Sequence, residues 1–354
     1  MISTSCGDTG DCVYLLCVLK HIKGAPHALL IEEKSPHTAS ARDKEAATKL
    51  TDFIKSLVEL QPYISECRLM EPWDAPEWRS GDFRPAGMHE RTPTLLYAHL
   101  AHFNSVSRAN LKINVQEPWL TVEASEGMKG MVVINRTVRY QNRHFQWKKI
   151  VEHYQGRIVF VGLQHEWKGF CDEFGYVSFR ETKTLLDVAK IIAGCALFIG
   201  NQSCPYALAE GLKQNSIQET STSMPDCVFP RPNAQFVADG ACKLPDVSGS
   251  GELIVQSNTF KPNYNAQISL QPKYGWSYKG FSSATYKGLL TMAMRELGMS
   301  KEDAHRGIIE ELYSREPDYF GPNHEEMELF MVRQAISGGD GWRKGAREKF
   351  EAGI

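Results

Sequence analysis

The chain of 354 residues lacks the features that would place it in several large classes. No apolar run approaches the roughly 18 residues of a membrane-spanning helix. No basic region followed by an apolar stretch opens the sequence, so a secretory signal is not expected and a cytoplasmic location is. Charge of one sign is missing too: 40 Lys and Arg stand against 42 Asp and Glu, giving a net charge of −2. Any pull toward nucleic acid or membrane must then come from a local patch. Nine cysteines occur without C-x-x-C spacing, which excludes a zinc ribbon and reads as reduced thiols, mostly small core residues. There is no D-x-D, no H-E-x-x-H and no carboxylate–histidine cluster, so neither a metal nor another cofactor is expected. Repeats and low-complexity tracts are absent as well.

What remains is an ordinary globular composition, 42% hydrophobic and 23% charged. The length exceeds a single core and predicts about two domains with an appendage. Short apolar runs alternate with amphipathic stretches. Expected strands are 27–32, 63–70, 131–134, 157–162, 196–199 and 216–219. Expected helices run from Asp11 to about Ile22, Asp43 to Leu60, Phe145 to Tyr154, Glu166 to Phe174, Lys183 to Ala193 with Thr182 as its cap, and from the 201–205 turn to Lys213. Repeated β-α units imply parallel sheets with helices on both faces and ligands at the carboxyl ends of strands. Glu71–Thr92, rich in Pro, Gly, Trp and charge, reads as a functional loop. From about Gly249 the pattern changes to short alternating strands and three helices, near 282–297, 300–314 and 323–337.

Two junctions carry chemistry. In Ser5-Cys6-Gly7-Asp8-Thr9-Gly10-Asp11, two Gly-Asp pairs precede a helix. Glycine lets a ligand approach the backbone. The carboxylates of Asp8 and Asp11 are read either as plain caps or as an acid–base pair. In Ile199-Gly200-Asn201-Gln202-Ser203-Cys204-Pro205-Tyr206, a strand passes into a helix with proline in its first turn. Such a helix start presents free N–H groups to a phosphate or diphosphate. Between them, Arg136, Arg139, Arg143, Lys148 and Lys149 fall within a stretch containing no acid, either a diphosphate site or a solvated helix start. Gly162-Leu163-Gln164 and the loop 179–182 are candidates to face a base. Glu210 reads as a hydroxyl acceptor or as a surface glutamate. Trp276, between Tyr274 and Tyr278 on one strand face, reads as a sugar-stacking residue or as core. His89, His99 and His102 have no ligand spacing and read as surface or cleft residues.

Thr9-Gly10-Asp11-Cys12-Val13-Tyr14-Leu15-Leu16 resembles the G-D-x-x-x-x-L-P opening of the lipopolysaccharide heptosyltransferases and related bacterial and phage glycosyltransferases. Asn135-Arg136-Thr137-Val138-Arg139-Tyr140 through Phe145-Gln146-Trp147-Lys148-Lys149, and Ala196 to Ser203, resemble that family's second-domain basic loop and donor turn. The resemblance covers about residues 1–230. At the donor turn the family has D-T-G-x-x-H where this chain has Asn201, Gln202, Ser203 and Tyr206.

The resemblance implies a GT-B fold: an N-terminal Rossmann-like acceptor domain (1–125), a facing nucleotide-sugar domain (126–248) and an extension (249–354) packing back on the first. It implies metal-independent, inverting transfer from a UDP- or ADP-type nucleotide sugar to a hydroxyl acceptor. Asp11 is then the general base with Asp8 as runner-up. Arg136, Arg139, Lys148, Asn201, Gln202, Ser203, Tyr206, Glu210 and Gly162 are expected on the donor, and Gly10 and Trp276 on the acceptor. The acceptor is a glycan, or hydroxymethylated bases of DNA in a phage-type enzyme. A non-catalytic nucleotide-sugar binder is the alternative from another class. The oligomeric state is left open.

Overall fold

The computed structural model describes residues 1–5, 7–24, 26–33, 43–84, 94–221, 227–238, 242–247 and strand residues 270–271, 275–278 and 281–282. The chain divides into two compact units: 1–89, 93–221 and 225–262 form one, and 263–354 with 90–92 and 222–224 form the other.

The first unit begins with β1 (Ile2–Ser5), α1 (Thr9–His21), β2 (His27–Ile31), α2 (Lys44–Glu59), β3 (Ile64–Leu69), β4 (Trp78–Arg79), a 3-10 turn at Ser80–Phe83 and α3 (Leu95–Ser107). Its strands lie in the order β3-β2-β1-β4, all parallel. The chain continues as β5 (Val132–Asn135), α4 (Trp147–His153), β6 (Ile158–Phe160), α5 (Gln164–Phe174), β7 (Ser178–Phe179), α6 (Leu185–Gly194), β8 (Leu197–Asn201), α7 (Cys204–Gly211), β9 (Ser216–Glu219) and β10 (Ala234–Val237). These strands form a second parallel sheet, β10-β9-β8-β5-β6-β7. In both sheets the order reverses beside the first strand, between β1 and β4 and between β5 and β8. Such switch points leave a crevice at the strands' carboxyl ends.

The burial pattern explains the composition of the helices. Along α2, Ala47, Thr51, Ile54, Leu57 and Val58 are buried at helical spacing, and Asp43 caps the helix by accepting from Ala46 N at 2.8 Å. Helix α1 is different: every residue from Cys12 to Leu19 is buried. A helix apolar all round must be enclosed, and α1 packs on α3 and α7 as well as on its sheet. One hydrophobic cluster therefore runs from α1 (Leu15, Leu19) through α6 (Ile192) to β8 (Phe198), joining the two sheets' helices.

Trp119, in the segment between the sheets, ties α1 to α7. Its backbone N–H and that of Leu120 donate to the Gly211 carbonyl at 2.9 and 3.1 Å, and its indole Nε1 donates to the Val13 carbonyl at 3.0 Å. A Cβ at Gly211 would lie 2.9 Å from that Nε1, so only glycine admits the indole here. Lys213 covers the ring at 4.4 Å, while the buried Glu210 carboxylate takes both Lys213 and Arg231.

Several expectations change. The stretch Glu71–Thr92 contains the short strand β4, which completes the first sheet's switch point. Helix α3 is unannounced in the sequence reading, because its buried face includes His99 and His102 and so carries a weak apolar signal. The cap of α6 is Thr184, whose hydroxyl accepts from Asp187 N at 3.2 Å, rather than Thr182. In the second unit the described residues form a three-stranded antiparallel sheet, β11 (Leu270–Gln271), β12 (Gly275–Tyr278) and β13 (Phe281–Ser282), with Leu270 opposite Trp276. The tail helices and the packing of residues 249–354 lie outside the described residues. No helix among the described residues is long and apolar enough to cross a membrane.

Trp119→Ala removes a buried indole and its bond to the Val13 carbonyl on α1, while the backbone bonds to Gly211 remain. It is expected to cost about 3–5 kcal/mol, read as a lower urea midpoint; a loss below about 1 kcal/mol would show that the junction holds without it.

Candidate functional site

The turn after β1 is shaped by one missing side chain. A Cβ on Gly7 would sit 2.2 Å from Asp11 Oδ2, so the Asp11 carboxylate folds back over a position only glycine leaves open. There Oδ2 accepts the Asp8 N–H at 3.1 Å. Asp8 stands at the N-cap and Asp11 three residues on, the arrangement of a capping box. Capping is thus their local geometry. The same Asp11 oxygen also accepts from Arg84 Nη2 at 2.6 Å. Arg84 follows β4, so exits from both sides of the first switch point meet on one carboxylate.

At the second sheet, side-chain amides knit the strand exits together. Asn135, ending β5, donates to the Val161 carbonyl at 2.8 Å and accepts from Ser203 Oγ at 2.9 Å. Gly162 has φ +139°, and a Cβ there would lie 2.6 Å from Asn135 Nδ2. Asn201, ending β8, accepts from Thr137 N at 3.1 Å and donates to the Thr137 carbonyl at 3.1 Å. Gln202 accepts from Ser221 N at 2.8 Å. The basic loop is pinned at both ends on Glu219, which is 0% exposed. That carboxylate accepts from Arg136 Nε at 3.1 Å, Asn142 N at 2.7 Å and Trp147 Nε1 at 2.9 Å. Burial pushes Glu219 above its ordinary range, and Arg136 opposes that. Between the anchors, Tyr140 turns the chain at φ +56° and Arg139 projects as the exposed tip.

The two turns meet. A Cβ on Gly10 would touch the Cys204 Cα at 3.6 Å, so the N-termini of α1 and α7 abut. Across this junction Arg139 Nη1 donates to Asp8 Oδ2 at 3.2 Å. Two helix starts, two carboxylates and two guanidiniums thus converge where the switch points face each other. Helix N-termini and arginine attract anionic oxygens, and a carboxylate beside them is a proton acceptor.

Of the residues singled out in the sequence, the structure gathers Asp8, Gly10, Asp11, Arg139 and Ser203 here, with Asn201, Gln202 and Gly162 beneath. It places others elsewhere. Arg136 is 8% exposed and held by Glu219, Glu173 and the Phe174 ring. Tyr206 and Glu210 are fully buried; the Tyr206 hydroxyl meets Ser216 Oγ at 3.1 Å, and Glu210 binds Arg231 at 3.0 Å. Both therefore face the core rather than the turn, because the α7 face that carries them meets Ser216, Phe198 and Phe236 on the sheet and Arg231 beyond β9. Lys148 is exposed on α4. Trp276 has only its backbone strand described, and His89 lies outside the described residues. Among the described residues no group of three or more His, Cys, Asp or Glu is arranged to hold a metal ion.

Sequence reasoning missed Arg84, Glu219 and the buried histidines. Contrary to expectation, His99 is 1% and His102 6% exposed. Burial pushes the His99 imidazole down to about 3, against the opposing charge of Asp11. It also lowers His102, whose Nδ1 accepts from Trp78 Nε1 at 3.1 Å. Glu219 did carry a faint signal, an acid ending a strand that otherwise reads as buried.

The His99 shift makes stability depend on pH. The folded chain resists a proton that the unfolded chain accepts below about 6.5. Its contribution is present above that pH and is lost as pH falls toward 3, by on the order of 4 kcal/mol. His99→Leu is expected to flatten that slope in urea titrations between pH 7 and 4; an unchanged slope would assign the acid sensitivity elsewhere.

No family model and no curated protein matches the sequence. Among solved structures the chain is similar to E. coli heptosyltransferase WaaC with ADP-2-deoxy-2-fluoro heptose, at 12% identity and TM-score 0.38, covering 70% of this chain and 94% of that one. It is similar to E. coli ADP-heptose lps heptosyltransferase II at 12% identity and TM-score 0.38, covering 71% and 91%. The glycosyl transferase family 9 protein from Veillonella parvula is similar at 13% identity and TM-score 0.46, covering 67% and 86%.

Proposed function

We propose that this chain is a GT-B glycosyltransferase that moves a sugar from a UDP- or ADP-type nucleotide sugar to a hydroxyl acceptor, with inversion and without a metal. The observation that carries the reading is the meeting of the two switch-point turns, with Gly10 against Cys204 and Arg139 reaching Asp8. A donor and an acceptor must be held side by side, each by its own strand exits, and this junction offers that arrangement.

In this reading the diphosphate lies against the start of α7, with Ser203 and the Gln202 turn below it and Arg139 at its side. The Asp11 carboxylate takes the acceptor's hydroxyl proton as that oxygen bonds to the anomeric carbon. The bond from that carbon to the phosphate oxygen breaks, and its electron pair leaves on the nucleoside diphosphate. Arg139 and the helix N–H groups stabilise the charge that develops there. The buried amides and Glu219 hold these groups in place beforehand, so little reorganisation is required.

Three measurements test the reading. Asp11→Asn is expected to keep nucleoside diphosphate binding and to lower kcat by on the order of 10²-fold or more; normal turnover would exclude Asp11 as the base. The two arginines should separate. Arg139→Ala weakens nucleoside diphosphate binding by about 1.5–3 kcal/mol in calorimetry with ADP, UDP and GDP. Arg136→Ala instead strands the buried Glu219 and costs about 3–5 kcal/mol of stability. Equal loss of nucleotide affinity with unchanged melting in both would return Arg136 to the donor site. Turnover should also persist in EDTA, and a loss restored by Mg²⁺ or Mn²⁺ would exclude the metal-independent mechanism.

A further inference from the structure

We infer that Arg84 is the positioning residue of Asp11, fixing the carboxylate from the far side of the first sheet's switch point. The inference rests on the reading of Asp11 as the base, and it names a residue that no sequence pattern marked.

Three constraints converge on one oxygen. Asp11 Oδ2 accepts from Arg84 Nη2 at 2.6 Å and from the Asp8 N–H at 3.1 Å, and it overlies Gly7, where a Cβ would stand 2.2 Å away. The ion pair is sheltered, with side-chain exposures of 12% for Arg84 and 13% for Asp11, against 63% and 48% for Arg139 and Asp8. A sheltered, charge-assisted bond is worth more than an exposed one and defines an orientation. Arg84 is itself held in place. Its guanidinium lies over the Phe83 ring at 4.4 Å, Phe83 is 1% exposed, and its ring packs edge-on against His99 at 4.6 Å.

The charged and titratable groups facing Asp11 come from five elements. They are Asp8 on its own turn, Arg84 after β4, His99 on α3, Arg139 after β5 and Cys204 on α7. Burial keeps His99 neutral and raises the Cys204 thiol, so both remain uncharged near pH 7. Both arginines act on Asp11 by their charge, and Arg84 does so in direct contact, its Nη2 donating to Oδ2 at 2.6 Å. Arg84 thus orients the carboxylate while Arg139 stays available at the junction's exposed tip.

The test reads Asp11 directly. Carboxyl ¹³C NMR follows its titration in the full chain and in Arg84→Gln and Arg84→Lys, with thermal melts confirming that each folds. Losing an adjacent cation is expected to raise the Asp11 midpoint by about one unit or more in Arg84→Gln, and Arg84→Lys should bring it most of the way back. In transfer assays Arg84→Gln should lower kcat by on the order of ten- to a hundredfold, with nucleoside diphosphate affinity unchanged. An unmoved midpoint overturns the inference, as does a fall in kcat that Arg84→Lys repairs no better than Arg84→Gln. The base reading fails separately: normal turnover in Asp11→Asn removes Asp11 as the base even where the midpoint shift shows Arg84 holding it.

Discussion

The contact between α1 and α7 organises this molecule. Each helix begins at the carboxyl end of a parallel strand, one from each sheet, and the two starts touch at Gly10 and Cys204. That approach requires α1 to be buried on every side, hence the unbroken apolar run from Cys12 to Leu19. It is backed by a tie from the far end of α7, where Trp119 bonds to Gly211 on that helix and to Val13 in the first half of α1. Because one hydrophobic cluster spans these helices, the position of each switch point is set relative to the other by packing.

The site inherits its rigidity from that packing, and its charges divide accordingly. Buried charges serve as framework. Glu219 gathers Arg136, Asn142 and Trp147, and Glu210 gathers Lys213 and Arg231. A charge taken out of water needs such partners, so these arginines are committed to protein. Arg139 meets the exposed carboxylate of Asp8 and the Tyr140 ring at the tip of a loop pinned on both sides. The difference in exposure, rather than residue type, separates an arginine that holds the fold from one left at the surface of the junction.

Asp11 belongs to both groups. As the third residue of α1 it accepts the Asp8 N–H, an interaction any helix start can use. It is also sheltered beneath Arg84, at the line where the turns of two sheets meet. A carboxylate so constrained keeps one orientation, as the proposed role of base would require. His99, kept neutral behind it by burial, adds bulk without adding a competing charge.

The alternation of apolar runs with amphipathic helices determined, from sequence alone, two parallel α/β sheets and the two junctions that carry Asp11 and Ser203. Periodicity and capping are local, and both are written in consecutive residues. Tertiary structure decided the rest. Nothing local distinguishes Arg136 from Arg139, since only Glu219, arriving from β9, takes one and leaves the other. Tyr206 and Glu210 look like turn residues until the packing of α7 against the sheet and Arg231 turns them inward. Helix α3 and strand β4 escaped notice because their buried residues include His99, His102 and a two-residue strand, which have no periodic signature. Arg84 is 73 residues from Asp11 in the chain; only the pairing of β4 with β1 brings its guanidinium to that carboxylate.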